Sequence, residues 1–164
     1  MIRKILFATD LGLSTSYVLQ HVFALTRRFD AELHVLHVVQ PLGLFAESVL
    51  QSYLDDGSLI ELYDQGLETV MSTIESRVLE GFGEELGDNA HELNLITSVR
   101  VMQGDPASVI LAEVQRAEID LIMLGSHSQG LNVLVPLGRT AMRVLQLSDV
   151  PVYMVPISQP RPVA

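Results

Sequence analysis

The chain has 164 residues, 48% hydrophobic and 18% charged, a length and balance that suit one ordered globular domain and exclude a disordered segment. Ten Lys/Arg against twenty Asp/Glu give a formal charge of −10 with no basic cluster to offset it, which excludes an electrostatic binder of nucleic acid. Cysteine is absent, excluding disulfides, thiol catalysis and Cys-ligated metal, and no apolar run approaches the roughly 20 residues of a membrane span.

"RKILFAT" (Arg3 to Thr9) reads as a first strand and "ELHVLHVV" (Glu32 to Val39) as a second. Between them, apolar residues at 18, 22, 25 and 29, and at 19 and 23, keep helical spacing, so the opening unit is β-α-β. "MIRKILFATD" alternates like a strand and lacks the features of a signal peptide; a cytoplasmic location is the expectation. The next stretch, "QPLGLFAESVLQSYLDDG", is poorly patterned, with a short helix expected over 45–53. Apolar residues from Ile60 through Tyr63, Leu67, Val70, Ile74 and Val78 to Phe82 mark one long amphipathic helix, with Ser58 as its N-cap.

"ITSVRVM" (Ile96 to Met102) is the third strand. Asp105 as N-cap with Pro106 at the first helical position then starts a helix. "IDLIMLG" (Ile119 to Gly125) is almost wholly apolar, the pattern of a central strand covered on both faces. A loop, a helix from about Arg139 to Gln146 and the short strand "VPVYMVP" complete the order. One domain is expected over 1–157, with 158–164 a loose tail. The methionines at 71, 102, 123, 142 and 154 fall on apolar faces and read as core.

The order indicates an α/β fold: a single-domain, doubly wound, five-stranded parallel sheet flanked by helices, Rossmann-like. Ligands on such sheets sit outside the carboxyl ends of the strands, where the winding reverses. "ATD" (Ala8, Thr9, Asp10) and "LGSHS" (Leu124, Gly125 to Ser128) are the strand ends suited to that position.

"GSHSQG" (Gly125 to Gly130) is one residue away from a Gly-x-Ser-x-Gly nucleophile elbow. A hydrolase of that kind needs its histidine after the nucleophile, and here the last histidine is His127. The hydrolase reading therefore fails on inventory. His34 and His37 lie an odd number of residues apart on one strand and point to opposite faces, so they do not share a metal. The Gly-x4-Gly-Lys and Gly-x-Gly-x-x-Gly phosphate fingerprints are also absent. What remains is Gly125 at a strand end and Gly138 before a helix, whose N-terminus offers free N–H groups to a phosphate.

Across "KILFATD", "LHVV", "GDPASVIL", "DLIMLGSHS" and "GRTAMRVL…DVPVYMVP" the chain resembles the universal stress protein family. The resemblance implies an adenine nucleotide alpha hydrolase-like fold and a homodimer formed through the last strand, here Val152, Tyr153, Met154 and Val155. It also implies a non-catalytic stress-response protein without membrane or nucleic-acid partners. ATP-binding members carry Gly-x2-Gly-x9-Gly-[Ser/Thr]. On this chain Gly125 and Gly138 fall at the first and third glycines, whereas Ser128 replaces the second and Arg139 the final Ser/Thr, with Thr140 next. The resemblance places Asp10 near the ribose, Val38 beside the adenine and Mg²⁺ with the nucleotide. Two alternatives stay open: ATP or another adenine nucleotide is held by these residues, or Ser128 and Arg139 close the pocket and the protein is a nucleotide-free dimeric interaction module.

Overall fold

A computed structural model of the chain describes residues 1–11, 15–40, 67–126 and 137–157. Its elements are β1 (Lys4–Thr9), α1 (Thr15–Phe29), β2 (Glu32–Val39), α2 (Leu67–Leu86), a 3-10 segment (Gly87–Leu95), β3 (Ile96–Gln103), α3 (Pro106–Ala117), β4 (Leu121–Gly125), α4 (Arg139–Leu147) and β5 (Val152–Val155). The five strands form one sheet in the order β3-β2-β1-β4-β5, and every pair is parallel. From β1 the chain winds outward to β2 and β3, then returns to build β4 and β5 on the other side. The reversal falls between β1 and β4.

Strand alternation sends side chains to two apolar layers. Ile5, Phe7, Leu33, Val35, Leu121 and Met123 pack with Val18, Leu19, Val22 and Phe23 of α1 and with Val78 and Phe82 of α2. On the other face Leu6, Leu36, Ile122 and Leu124 pack with Ala107, Ile110 and Val114 of α3 and with Ala141 and Val144 of α4. Leu121 to Leu124 are all buried, as the unbroken apolarity of this strand predicts.

α3 begins as its sequence dictates: the Asp105 side chain accepts the Ser108 N–H, and Pro106 occupies the first turn. α2 runs beyond Phe82 to Leu86 and ends at Gly87, whose φ of 52° favours a residue without a Cβ. Ser58, the expected helix over 45–53, the first residues of the long helix and the tail 158–164 lie outside the described residues. One methionine departs from expectation. Met123 is buried, but Met142 is 43% exposed, because Ala141 and Val144 already fill the sheet-facing stripe of α4 and position 142 turns about 100° away.

Candidate functional site

β1 pairs with β2 from Lys4 opposite Glu32 to Thr9 opposite His37. It pairs with β4 only from Ile5 opposite Leu121 to Phe7 opposite Met123. Beyond that register the ends of β1 (Ala8, Thr9, Asp10) and β4 (Leu124, Gly125) are no longer laddered to each other. The crevice this opens sits at the carboxyl edge, at the reversal of winding, where open α/β sheets take ligands.

Each wall has its own support. The Thr9 hydroxyl accepts the Leu11 N–H at 3.0 Å, and the Thr9 carbonyl accepts His37 Nδ1 at 2.8 Å. A carbonyl can only accept, so Nδ1 carries the proton and Nε2 is the acceptor of the neutral ring. Thr9 is buried and Asp10 exposed. Val38 is half-buried against the layer under α3 and α4.

The opposite wall is organised by Ser126, a buried residue. Its N–H donates to the Val155 carbonyl at 2.9 Å and its carbonyl accepts the Gly138 N–H at 2.8 Å. The start of α4 is thereby tied to the end of β4. Gly138 is the N-cap of α4 and brings no side-chain hydrogen bond to it, so the N-cap itself supplies no side-chain acceptor to the first-turn N–H groups of Arg139, Thr140 and Ala141. Arg139 is exposed there and forms no ion pair among the described residues. Arg143, one turn on, is engaged with Asp105 at 3.0 Å. Hydrogen bonds from the Ser108 hydroxyl and N–H, then the charge of Arg143, hold the Asp105 carboxyl below its usual range.

Of the residues singled out in the sequence, Ala8, Thr9 and Asp10 stand at the end of β1, Leu124 and Gly125 at the end of β4, and Gly138, Arg139 and Thr140 at the start of α4, which Ser126 ties to β4, while Val38 lies one strand over on β2. Ser128 lies outside the described residues. Gly125 has a packing reason: an added Cβ would come within 2.7 Å of Ile157 Cδ1. Gly138, at φ −63° and ψ 150°, adopts a conformation open to any residue. Ser126 and His37 were not legible as site residues, because their partners are distant in the chain. Each described histidine that bonds has its own partner: His34 pairs with Ser98 Oγ at 2.8 Å, and His21 with Tyr153 Oη at 3.3 Å. No group of three or more His, Asp or Glu among the described residues could hold a metal ion.

At the far end of the sheet, β5 pairs among the described strands with β4 alone. Tyr153 is 37% exposed and Val155 fully buried, with Val152 and Met154 between these extremes. The Tyr153 ring lies 6.1 Å from His21, which stands edge-on to Tyr17 at 5.1 Å.

Residues 1–156 match the universal stress protein family. Universal stress protein MJ0577 of Methanocaldococcus jannaschii is 24% identical over 158 residues, 94% of this chain and 95% of that protein. A solved structure of MJ0577 superposes with a TM-score of 0.69 at 23% identity, covering 98% of this chain and 99% of that one. A universal stress protein in complex with cAMP superposes with a TM-score of 0.56 at 14% identity, covering 96% and 98%. The Archaeoglobus fulgidus universal stress protein in complex with dAMP does so with 0.53 at 17% identity, covering 94% and 98%.

Proposed function

The chain belongs to the universal stress protein family, and we propose that it is a non-catalytic, cytoplasmic stress-response protein that binds an adenine nucleotide in the β1–β4 crevice and works as a homodimer. The observation that carries the nucleotide reading is the Gly138 N–H to Ser126 carbonyl bond at 2.8 Å. It holds the start of α4, whose N-cap offers no side chain, beside the crevice, and the N–H groups and positive dipole end of a helix start suit phosphate. Arg139 adds a cation with no carboxylate to neutralise it among the described residues. Asp10 and Val38 would face the nucleoside and Gly125, Ser128, Gly138, Arg139 and Thr140 the phosphates. Relatives solved with cAMP and dAMP support adenine as the base.

Mg²⁺ would ride on the phosphates of ATP, since the described residues supply no metal cluster of their own. The non-catalytic reading rests on inventory: no histidine follows His127, and His37 commits its Nδ1 proton to the Thr9 carbonyl. The dimer reading rests on β5. It is an edge strand with an exposed tyrosine, and a second copy paired along it would satisfy its open backbone groups.

A calorimetric titration with Mg-ATP tests the nucleotide reading on wild type, on Gly138→Trp and on the double variant Ser128→Gly, Arg139→Ser. Saturable binding by wild type that Gly138→Trp abolishes is the expected result. Binding by the double variant alone would mean that Ser128 and Arg139 have closed the pocket and the dimer is the working unit. Equal binding by wild type and Gly138→Trp would move the site elsewhere.

A further inference from the structure

On the sheet face covered by α1 and α2, at the ends of β1 and β2, lies a cavity of about 440 Å³. Leu11, Val39, Ile74, Val78 and Phe82 give it apolar walls. Alternation along β2 puts His37 and Val39 on this face and Val38 on the other. The cavity is therefore separate from the pocket assigned above to the adenine.

Four features of the lining stand out. Gly81 stands inside α2, where glycine weakens a helix relative to alanine. A Cβ added there would meet no atom of the described residues within 4 Å, and one on Gly83 would make an ordinary contact with Leu93 at 3.5 Å. Packing demands glycine at neither position, and of the two it is Gly81 that lines the cavity. Leu11 is held at φ 59°, a left-handed conformation uncommon for a bulky residue, and its side chain joins this face's core and the cavity wall. Arg77, four residues before Gly81 on the same stripe of α2, is at the rim and forms no ion pair among the described residues. Glu85, four residues after Gly81, is exposed at the other end of the lining, and partial burial raises its carboxyl above the ordinary value. Eight residues of α2, about 12 Å, separate it from Arg77.

We infer that this cavity is a binding site for a small aromatic carboxylate, its ring against Gly81 and Phe82 and its anionic group paired with Arg77. The volume and the mainly apolar walls with few convergent polar groups are those of a small-molecule site. The missing Cβ at Gly81 lets a flat ring approach the helix backbone. A carboxylate finds a guanidinium with no ion pair among the described residues, and Glu85 stands more than two turns away. His37 Nε2 remains at the wall as an acceptor.

The test is a calorimetric titration of the full chain with 1-naphthoate, and with 1-naphthylmethylammonium as the charge-reversed probe. Wild type is expected to bind one naphthoate per chain, roughly tenfold or more tighter than the ammonium probe. Gly81→Leu fills the empty space with a strong helix former, so its thermal midpoint is expected to hold or rise while naphthoate binding is lost. Arg77→Gln is expected to weaken naphthoate about tenfold and bring the two probes level. Gly81→Leu should keep the nucleotide response of wild type, and Gly138→Trp should keep naphthoate binding, so the two sites fail separately. Unchanged naphthoate binding by Gly81→Leu would overturn the inference, as would equal binding of both probes by wild type or no saturable naphthoate binding.

Discussion

Arg100 on β3 donates to both carboxylate oxygens of Glu113 on α3, at 2.9 and 2.7 Å. Arg116 holds the same carboxylate from the other side, at 2.9 and 2.6 Å. Glu113 is 5% exposed, so this acid sits in the layer between helix and sheet only because two guanidinium groups replace its water.

Glu113→Gln is therefore expected to destabilise the fold by about 1–3 kcal/mol at neutral pH, lowering the thermal midpoint by several degrees. The hydrogen bond from Arg116 and the charge of Arg100 outweigh desolvation and hold the Glu113 carboxyl below its ordinary range. A depressed folded-state pKa gives stability that is complete above the unfolded value, about 4.3, and is lost as pH falls through the folded one. Denaturant titrations should show the gap between wild type and Glu113→Gln at pH 7 and its closing below about pH 4. A gap that does not change with pH would count against the ion pairs as its source.

Asp10 and Arg139 should separate by ligand. Asp10→Ala is expected to weaken adenosine and ATP alike, because its carboxylate would face the nucleoside. Arg139→Ala is expected to weaken ATP by about tenfold and leave adenosine unchanged, the mark of a group that meets phosphate. Calorimetry with both ligands measures the split, and equal losses in Arg139→Ala would remove it from the phosphate end.

Tyr153→Glu is expected to convert a dimer to a monomer in sedimentation equilibrium without loss of helical signal. Its ring lies partly exposed on the edge strand, so a carboxylate there is solvated in the monomer and buried in a two-fold pair. Val155 serves as the contrast. Its side chain is wholly within the chain's own core, and Val155→Glu should unfold the protein. A monomeric wild type would sink the dimer reading.

Ser126→Ala tests the junction beside the crevice. The Ser126 hydroxyl accepts the Ile157 N–H at 2.8 Å, and its loss should cost about 1 kcal/mol, a fall of about 2–4 °C in thermal midpoint. The backbone bond to Gly138 survives the substitution, so nucleotide affinity is expected to change little. A large loss of affinity would show that the segment after β5 shapes the crevice.

Much of the architecture was written in local pattern. The unbroken apolarity of Leu121 to Leu124 marked a strand covered on both faces, and Asp105 with Pro106 marked the start of α3. Such signals rest on geometry repeated every two or three to four residues, and a sequence displays that directly. Met142 is where this reading failed. An apolar residue at a helical position says nothing of whether a smaller neighbour already fills the inward stripe.

The sequence by itself determined the element order, the parallel doubly wound sheet and the two strand ends that border the crevice. Tertiary structure alone decided which residues hold that crevice in shape. Ser126 meets Ile157 across 31 residues and His37 meets Thr9 across 28, while Glu113 is stabilised by Arg100 from another element. Those pairings depend on strand register and helix docking. They come from packing the whole chain, and no local period encodes them.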